Sequence, residues 1–213
     1  MPLTKTTVSQ AVEQAIADGK GKRKFTQSVD LAINLAGLDF RKPENRLNLS
    51  IILPFPPKES PVAIFADGQA ATEAKAVVDL VISSADLPSY ATDKAKQAEL
   101  LKYSLLATPP LMAQVGKVLG PVLAPKGKMP KPILPNSNLK SLVDSAKRSI
   151  SVRTKGKNLP VVHCIVGREN LAPEQITENV LAVVEAVFRK TGEKSVAKIF
   201  IKTTMGKSFA VVN

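Results

Sequence analysis

The sequence predicts a two-domain protein of mixed α/β and α+β class, a split β-α-β terminal domain with a three-layer, Rossmann-like α/β domain inserted into it. Three observations carry this reading. The two flanks of the chain share one texture, period-two strands with one amphipathic helix each. The middle alternates strand and helix, which implies a parallel sheet covered on both faces. Four prolines within Leu53–Pro61 mark a stiff extended boundary between the two textures. The economical assembly joins residues 1–60 with 152–213 as one domain and inserts 61–151 as the other.

In chain order, Val8, Ala11, Val12, Ala15 and Ile16 form one apolar stripe, a helix from Thr7 that Gly19 ends. Val29, Leu31, Ile33 and Leu35 alternate with Ser28, Asp30, Ala32 and Asn34, as a half-buried strand requires. Leu47, Leu49 and Ile51 repeat the pattern. Between them, Pro43 and Asn45 favour a connecting loop. Beyond the prolines, strands are expected at 62–66, 80–83 and 103–107, and helices at about 69–78, 92–101 and 109–118. Residues 119–136 hold five prolines and two glycines and read as a long irregular loop. A helix capped by Asn138 follows, then strands ISVRT and VVHCIV as a hairpin around Gly156. The longest helix starts at Pro173, has Ile176, Val180, Leu181, Val183, Val184 and Val187 as its apolar face, and stops at Gly192. Strands at 195–204 and 208–212 close the chain around Met205-Gly206.

Composition narrows the chemistry. Across 213 residues, 44% are hydrophobic, enough for a sizeable core. No apolar run approaches the roughly 20 residues of a membrane span, and the N-terminus has no secretion-type apolar stretch, so a cytoplasmic location away from membranes is expected. A single cysteine, Cys164, excludes an internal disulfide, and a single histidine, His163, excludes multi-histidine metal sites. Thirty Lys+Arg against 18 Asp+Glu give a net charge of +12, spread along the whole chain, and such a surface seeks polyanions. Aromatics at 4% disfavour a single-strand binder that stacks successive bases, and leave a reader of phosphates and folded shape.

The motifs of enzymes are incomplete. Asp67-Gly68 after VAIFA resembles a nucleotide-binding turn, but one glycine of the three needed reads as an ordinary β-to-α turn. Gly127-Lys128 is followed by Met129-Pro130 rather than by Ser or Thr opening a helix, so no NTPase is indicated. His163 and Cys164 are strand neighbours pointing to opposite faces and cannot act on each other. The pairs Asp86/Asp93 and Glu169/Glu174 have no catalytic spacing. Neither a cofactor nor a catalytic site is expected.

Three basic stretches remain. Lys20–Ser28 (KGKRKFTQS) reads equally as a solvated charge run and as a phosphate-binding cluster. Lys198-Ile-Phe-Ile-Lys202 sets lysines on one strand face and leads into Thr204-Met205-Gly206, a small turn that reads equally as a plain bend and as a close approach for a nucleic-acid backbone. Lys126-Gly-Lys128-Met-Pro-Lys-Pro132 is a basic loop suited to contacts. A metabolite-binding enzyme and a basic DNA-binding protein are the rival readings.

Lys24-Phe25-Thr26-Gln27-Ser28, Arg41-Lys42-Pro43-Glu44-Asn45-Arg46 with Leu53-Pro54, Gly120-Pro121 with Pro125-Lys126-Gly127-Lys128-Met129-Pro130, and Thr204-Met205-Gly206 stand in an order and spacing that resemble the ribosomal protein L1 family, in its archaeal/eukaryotic form. The resemblance spans essentially the whole chain. It implies a two-domain, hinged, non-enzymatic protein that binds large-subunit ribosomal RNA as the lateral stalk near the tRNA exit site. It further implies contact with exiting deacylated tRNA, release of that tRNA, repression of translation through its own mRNA, and a monomer when free of the ribosome. The family's RNA interface falls on Phe25, Ser28, Thr204, Met205 and Gly206, with Lys24, Thr26 and Arg46 beside them and Lys126 and Lys128 on the second domain. Lys198 joins this set from its strand pattern. Two departures are visible: Phe55-Pro56-Pro57 replaces a His-Gly-type stretch, and Ala124 stands where glycine is common.

Overall fold

A computed structural model describes residues 4–19, 21, 23–42, 45–133, 138–154 and 159–212. The chain divides into two compact units, Met1–Lys58 with Arg148–Asn213, and Glu59–Lys147.

In the first unit the elements are α1 (Lys5–Gly19), β1 (Ser28–Leu35) and β2 (Asn48–Ile52), then β7 (Ser149–Arg153), β8 (Val161–Arg168), α8 (Pro173–Thr191), β9 (Val196–Thr203) and β10 (Ser208–Val212). Four strands make an antiparallel sheet in the order β10-β9-β1-β8, and β2 pairs with β7 as a separate two-stranded ribbon. The alternation read in 28–35 holds: Val29, Leu31, Ile33 and Leu35 are buried and their neighbours are not. These residues join Val162, Cys164 and Val166 of β8 and Ile199 and Ile201 of β9 under α1 and α8 in one core. Burial of roughly 1.5–3 kcal/mol per large apolar side chain makes this the main source of the unit's stability. Both helices lie on this face of the sheet, as single-sided amphipathic helices must.

The inserted unit carries a parallel sheet in the order β4-β3-β5-β6, formed by β3 (Val62–Phe65), β4 (Leu80–Ile82), β5 (Ser104–Ala107) and β6 (Lys131–Pro132). Helices α2 (Gly68–Lys75), α3 (Leu87–Thr92), α4 (Lys94–Leu100), α5 (Pro109–Val118), α6 (Gly120–Lys126) and α7 (Leu139–Arg148) surround it. β3 is buried along its whole length, and separate apolar clusters form on either side of the sheet, so the three-layer α/β class expected from the alternation is what the chain adopts.

Four local differences from the sequence reading have physical causes. Residues 119–136 are not wholly irregular, since α6 and β6 lie within them. Pro121 sits near the start of α6, where its missing N–H is unneeded, and Gly127 ends the helix at φ +66°. Pro125 inside this short helix costs one hydrogen bond, but burial of Leu119 and Leu123 one turn apart offsets it. The helix expected near 92–101 is two helices, because Asp93 leaves helical geometry and caps α4 by accepting the Ala95 N–H at 2.9 Å. ISVRT and VVHCIV are not a paired hairpin. β7 pairs with β2 and β8 with β1, and among the described residues the bridge between them is Thr154 to Val162; the Gly156 turn lies outside the described residues. The return to the first unit falls at Lys147/Arg148 rather than 151/152, since Ser149–Ser151 already pair with β2. Asn138 caps α7 as read, accepting the Lys140 N–H at 3.1 Å.

Candidate nucleic-acid interface

At one end of the four-stranded sheet, three segments distant in sequence meet: the end of α1, the segment Lys24–Ser28 entering β1, and the Thr204–Lys207 turn between β9 and β10. The β1 to β9 ladder aligns Val29 with Thr203, which sets Ser28 beside Thr204. The Thr204 N–H donates to the Ser28 carbonyl at 3.0 Å, and the Thr204 Oγ1 accepts the Ser28 N–H at 3.1 Å. Gln27, 1% exposed, reaches both neighbours. Its Oε1 accepts the Met205 N–H at 3.0 Å, and its Nε2 donates to the Gly19 carbonyl at 2.7 Å. Asp18 accepts the Lys207 N–H at 2.9 Å, and the Gly206 N–H returns to the Thr203 carbonyl at 3.1 Å. Every main-chain N–H from Thr204 to Lys207 is therefore satisfied from within, and the turn is held in one shape before any ligand arrives.

Thr203 explains the glycine. Its side chain is fully buried between Gly19 and Gly206, and a Cβ on Gly206 would lie 2.2 Å from the Thr203 Oγ1 while one on Gly19 would lie 2.6 Å from it. Gly206 is thus required by close packing rather than by backbone angle. Outward, the same end presents Phe25 and Met205, 51% and 58% exposed, with Lys24 and Thr26 exposed beside them. Two large apolar tips left in water next to lysine mark a contact surface rather than a core.

Lys24, Phe25, Thr26, Ser28, Thr204, Met205 and Gly206 are brought together in this way. Other sequence-selected residues are not. Arg46 donates to the Phe40 carbonyl at 3.3 Å in the loop after β1. It adjoins Leu47, whose carbonyl takes the Thr154 N–H, at the Ile33 end of the sheet. Lys198 pairs across the ladder with Asn34, again at the far end. Lys126 and Lys128 belong to the inserted unit. Lys126 is exposed at the end of α6, whereas Lys128 is half-buried with its Nζ 3.5 Å from the Tyr103 carbonyl, and burial lowers its pKa. Lys20 and Lys22 of the basic cluster lie outside the described residues. The roles of Gln27 and Asp18 were missed by sequence reasoning. An uncharged glutamine inside a basic run gives no signal of its own, and only the meeting of three segments reveals its role.

His163 is exposed on β8 while Cys164 is buried beneath the sheet, its thiol pushed up to about 12 by burial and by nearby Asp30. That thiol is inert at neutral pH. Among the described residues, no group of three or more His, Cys, Asp or Glu side chains is placed to hold a metal ion, and no helix is long and apolar enough to cross a membrane.

A turn held in one shape, with apolar tips and a lysine left in water beside it, is the build of a contact surface. Comparison with known proteins narrows that reading. The chain belongs to the ribosomal protein L1p/L10e family, whose model matches residues 11–207. It is 42% identical over 208 residues to the large ribosomal subunit protein uL1 of Pyrobaculum neutrophilum, covering 96% of this chain and 92% of that one. The corresponding protein of Pyrococcus abyssi is 38% identical over 217 residues, covering 99% and 98%. That of Archaeoglobus fulgidus is 36% identical over 219 residues and covers both chains fully.

Proposed function

We propose that this protein is a structural component of the large ribosomal subunit that binds large-subunit ribosomal RNA through the Lys24–Ser28 and Thr204–Gly206 end of its first unit. The observation that carries the reading is the pre-set turn: with all four of its N–H groups used internally, it offers carbonyl oxygens and the Met205 side chain in a fixed arrangement. Such a surface reads the shape and 2′-hydroxyls of one folded RNA rather than a base sequence. Lys24 supplies phosphate attraction and register. Lys126, on the inserted unit, adds a further phosphate contact.

In this reading, which membership of the family supports, the bound RNA is the lateral stalk near the tRNA exit site, where the protein aids the departure of deacylated tRNA. The same surface, recognising a similar fold in its own mRNA, represses translation. The protein acts in the cytoplasm on the ribosome, and is a monomer when free.

The test is to identify the RNA that stays with the purified protein through a high-salt wash. A single segment of large-subunit ribosomal RNA is expected, displaced by the corresponding fragment and not by duplex DNA. Recovery of unselected RNA, or equal displacement by DNA, would overturn the reading.

A further inference from the structure

The face of the four-stranded sheet opposite α1 and α8 carries a second, differently built surface. Strand registers place Ala210, Phe200, Ala32 and His163 side by side in one row across β10, β9, β1 and β8. The next row towards Thr204 is Ser208, Lys202, Asp30 and Ile165, and on the other side Lys198 stands beside Asn34. Phe200 is part-exposed and belongs to none of the apolar clusters, so its ring does not serve the core. Its immediate cross-strand neighbours are both alanines, whose methyl groups are too small to cover it. His163 and Ala210 are exposed, and Ile165 is 46% exposed.

Charge selects the occupant. Lys198 and Lys202 flank Phe200 along its own strand, and Arg168, in register with Ser28, extends the same face. Asp30, opposite Lys202, is the one carboxylate in these rows. Two planar rings about 10 Å apart, the width of two strand spacings, with an alanine between them and lysines on either side suit unpaired bases and their phosphates. A duplex hides its base faces and could use only the lysines. An aromatic content of 4% makes such a platform unexpected, but two rings suffice when the ladder sets them in one row.

We propose that this face is a second RNA-binding site, one that takes an unpaired segment, stacking bases on Phe200 and His163 and meeting phosphates with Lys198, Lys202 and Arg168. It rests on the RNA-binding reading above for the ligand's class but uses different residues. Phe200 lies four positions from Thr204, roughly 13 Å along the strand.

The experiment uses the full chain, an unstructured ten-nucleotide oligouridylate, and a separate large-subunit stalk RNA fragment. Amide shifts on adding the oligonucleotide should centre on Ala32, His163, Ile165 and Phe200 and spare Met205 and Gly206. Phe200→Leu, which keeps an apolar side chain, should weaken the oligonucleotide about tenfold, and Lys198→Gln should flatten its salt dependence; both should leave stalk RNA affinity within about twofold. Gly206→Val should do the reverse. Shifts confined to 24–28 and 204–206, unchanged affinity in both sheet variants, or a concentration-dependent dimer abolished by Phe200→Leu would overturn the proposal. Loss of stalk RNA binding with the oligonucleotide still bound would instead overturn the function proposed for the turn.

Discussion

The Gln27 Oε1 accepts the main-chain N–H of Met205 at 3.0 Å from across the sheet end, and this bond ties the turn to the strand entry. Gln27→Leu would strand that N–H together with the Gly19 carbonyl, at about 2–4 kcal/mol of stability. Gln27→Glu keeps the acceptor for Met205 but buries a carboxylate against the Gly19 carbonyl, so stability should fall here too, while the added negative charge lowers ribosomal RNA affinity as a separate effect. Urea unfolding beside RNA titration separates the two effects.

Gly206→Ala should displace the turn, because the new methyl would meet the Thr203 hydroxyl. Pairing it with Thr203→Ala removes the obstructing atom. A double-mutant cycle should therefore show coupling above about 1 kcal/mol, with the double variant binding RNA better than Gly206→Ala alone. Strict additivity would argue that Gly206 matters for some reason other than this contact.

Lysine and threonine variants should part company in salt. Lys24→Ala should weaken cognate and unrelated RNA alike and lower the salt slope by about one phosphate. Thr204→Val, which gives up the hydroxyl that holds the Ser28 N–H, should affect cognate RNA preferentially, by about 1–3 kcal/mol. Lys126→Ala should behave as Lys24→Ala does. Lys128→Ala should act chiefly on the stability of the inserted unit, since its stem is half-buried.

Asn179, fully buried on α8, donates to the carbonyls of Val166 and Phe55 and accepts the Phe55 N–H at 3.0 Å. Both of its N–H donors and one Oδ1 lone pair are used. Asn179→Leu should cost about 3 kcal/mol or more, since it orphans three main-chain groups at once. Thermal unfolding would show it as a markedly lowered midpoint.

Burial holds the Cys164 thiol neutral up to about pH 12, against an ordinary value of 9.0. The folded form thus keeps its proton where the unfolded form has lost it. The stabilisation is complete below pH 9 and is lost as pH climbs from 9 towards 12, by up to about 1.4 kcal/mol per unit from this group. Cys164→Ala should flatten that alkaline decline. At pH 8 the native thiol should resist alkylation and react only on unfolding.

The core face of β1 and the long α8 were legible in the sequence because burial on one side imposes a period. The alternation over 62–118 likewise announced the α/β unit. Irregular prolines misled at 119–136, where local propensity argued for loop and burial of Leu119 and Leu123 decided for helix. Within the interface, Thr204-Met205-Gly206 and Phe25 stood out as motif residues. Gln27 stood only as one member of the Lys24–Ser28 motif, with no role of its own, and Asp18 not at all, because hydrogen bonds between segments more than 170 positions apart leave no periodic trace. Lys198 was legible as basic and, six residues before Thr204 on one strand, as roughly 20 Å from the turn; what the sequence left open was that Ser28 joins β9 at its Thr203 end.

Leu53 and Arg148 are joined by a main-chain bond of 3.1 Å, and Ser60 and Lys147 by one of 3.2 Å, so the outgoing and returning strands of the chain are tied on both sides of the unit boundary. This has a kinetic meaning. Pairing β2 with β7 from an unfolded chain requires closing a loop of roughly a hundred residues, but a loop whose interior has already folded brings its own ends together. The closure entropy then resembles that of about ten residues, a saving of roughly 2 kcal/mol. Assembly order should follow from the wiring: the inserted unit, built from one continuous stretch of chain, forms first and serves as the splint on which the discontinuous unit closes.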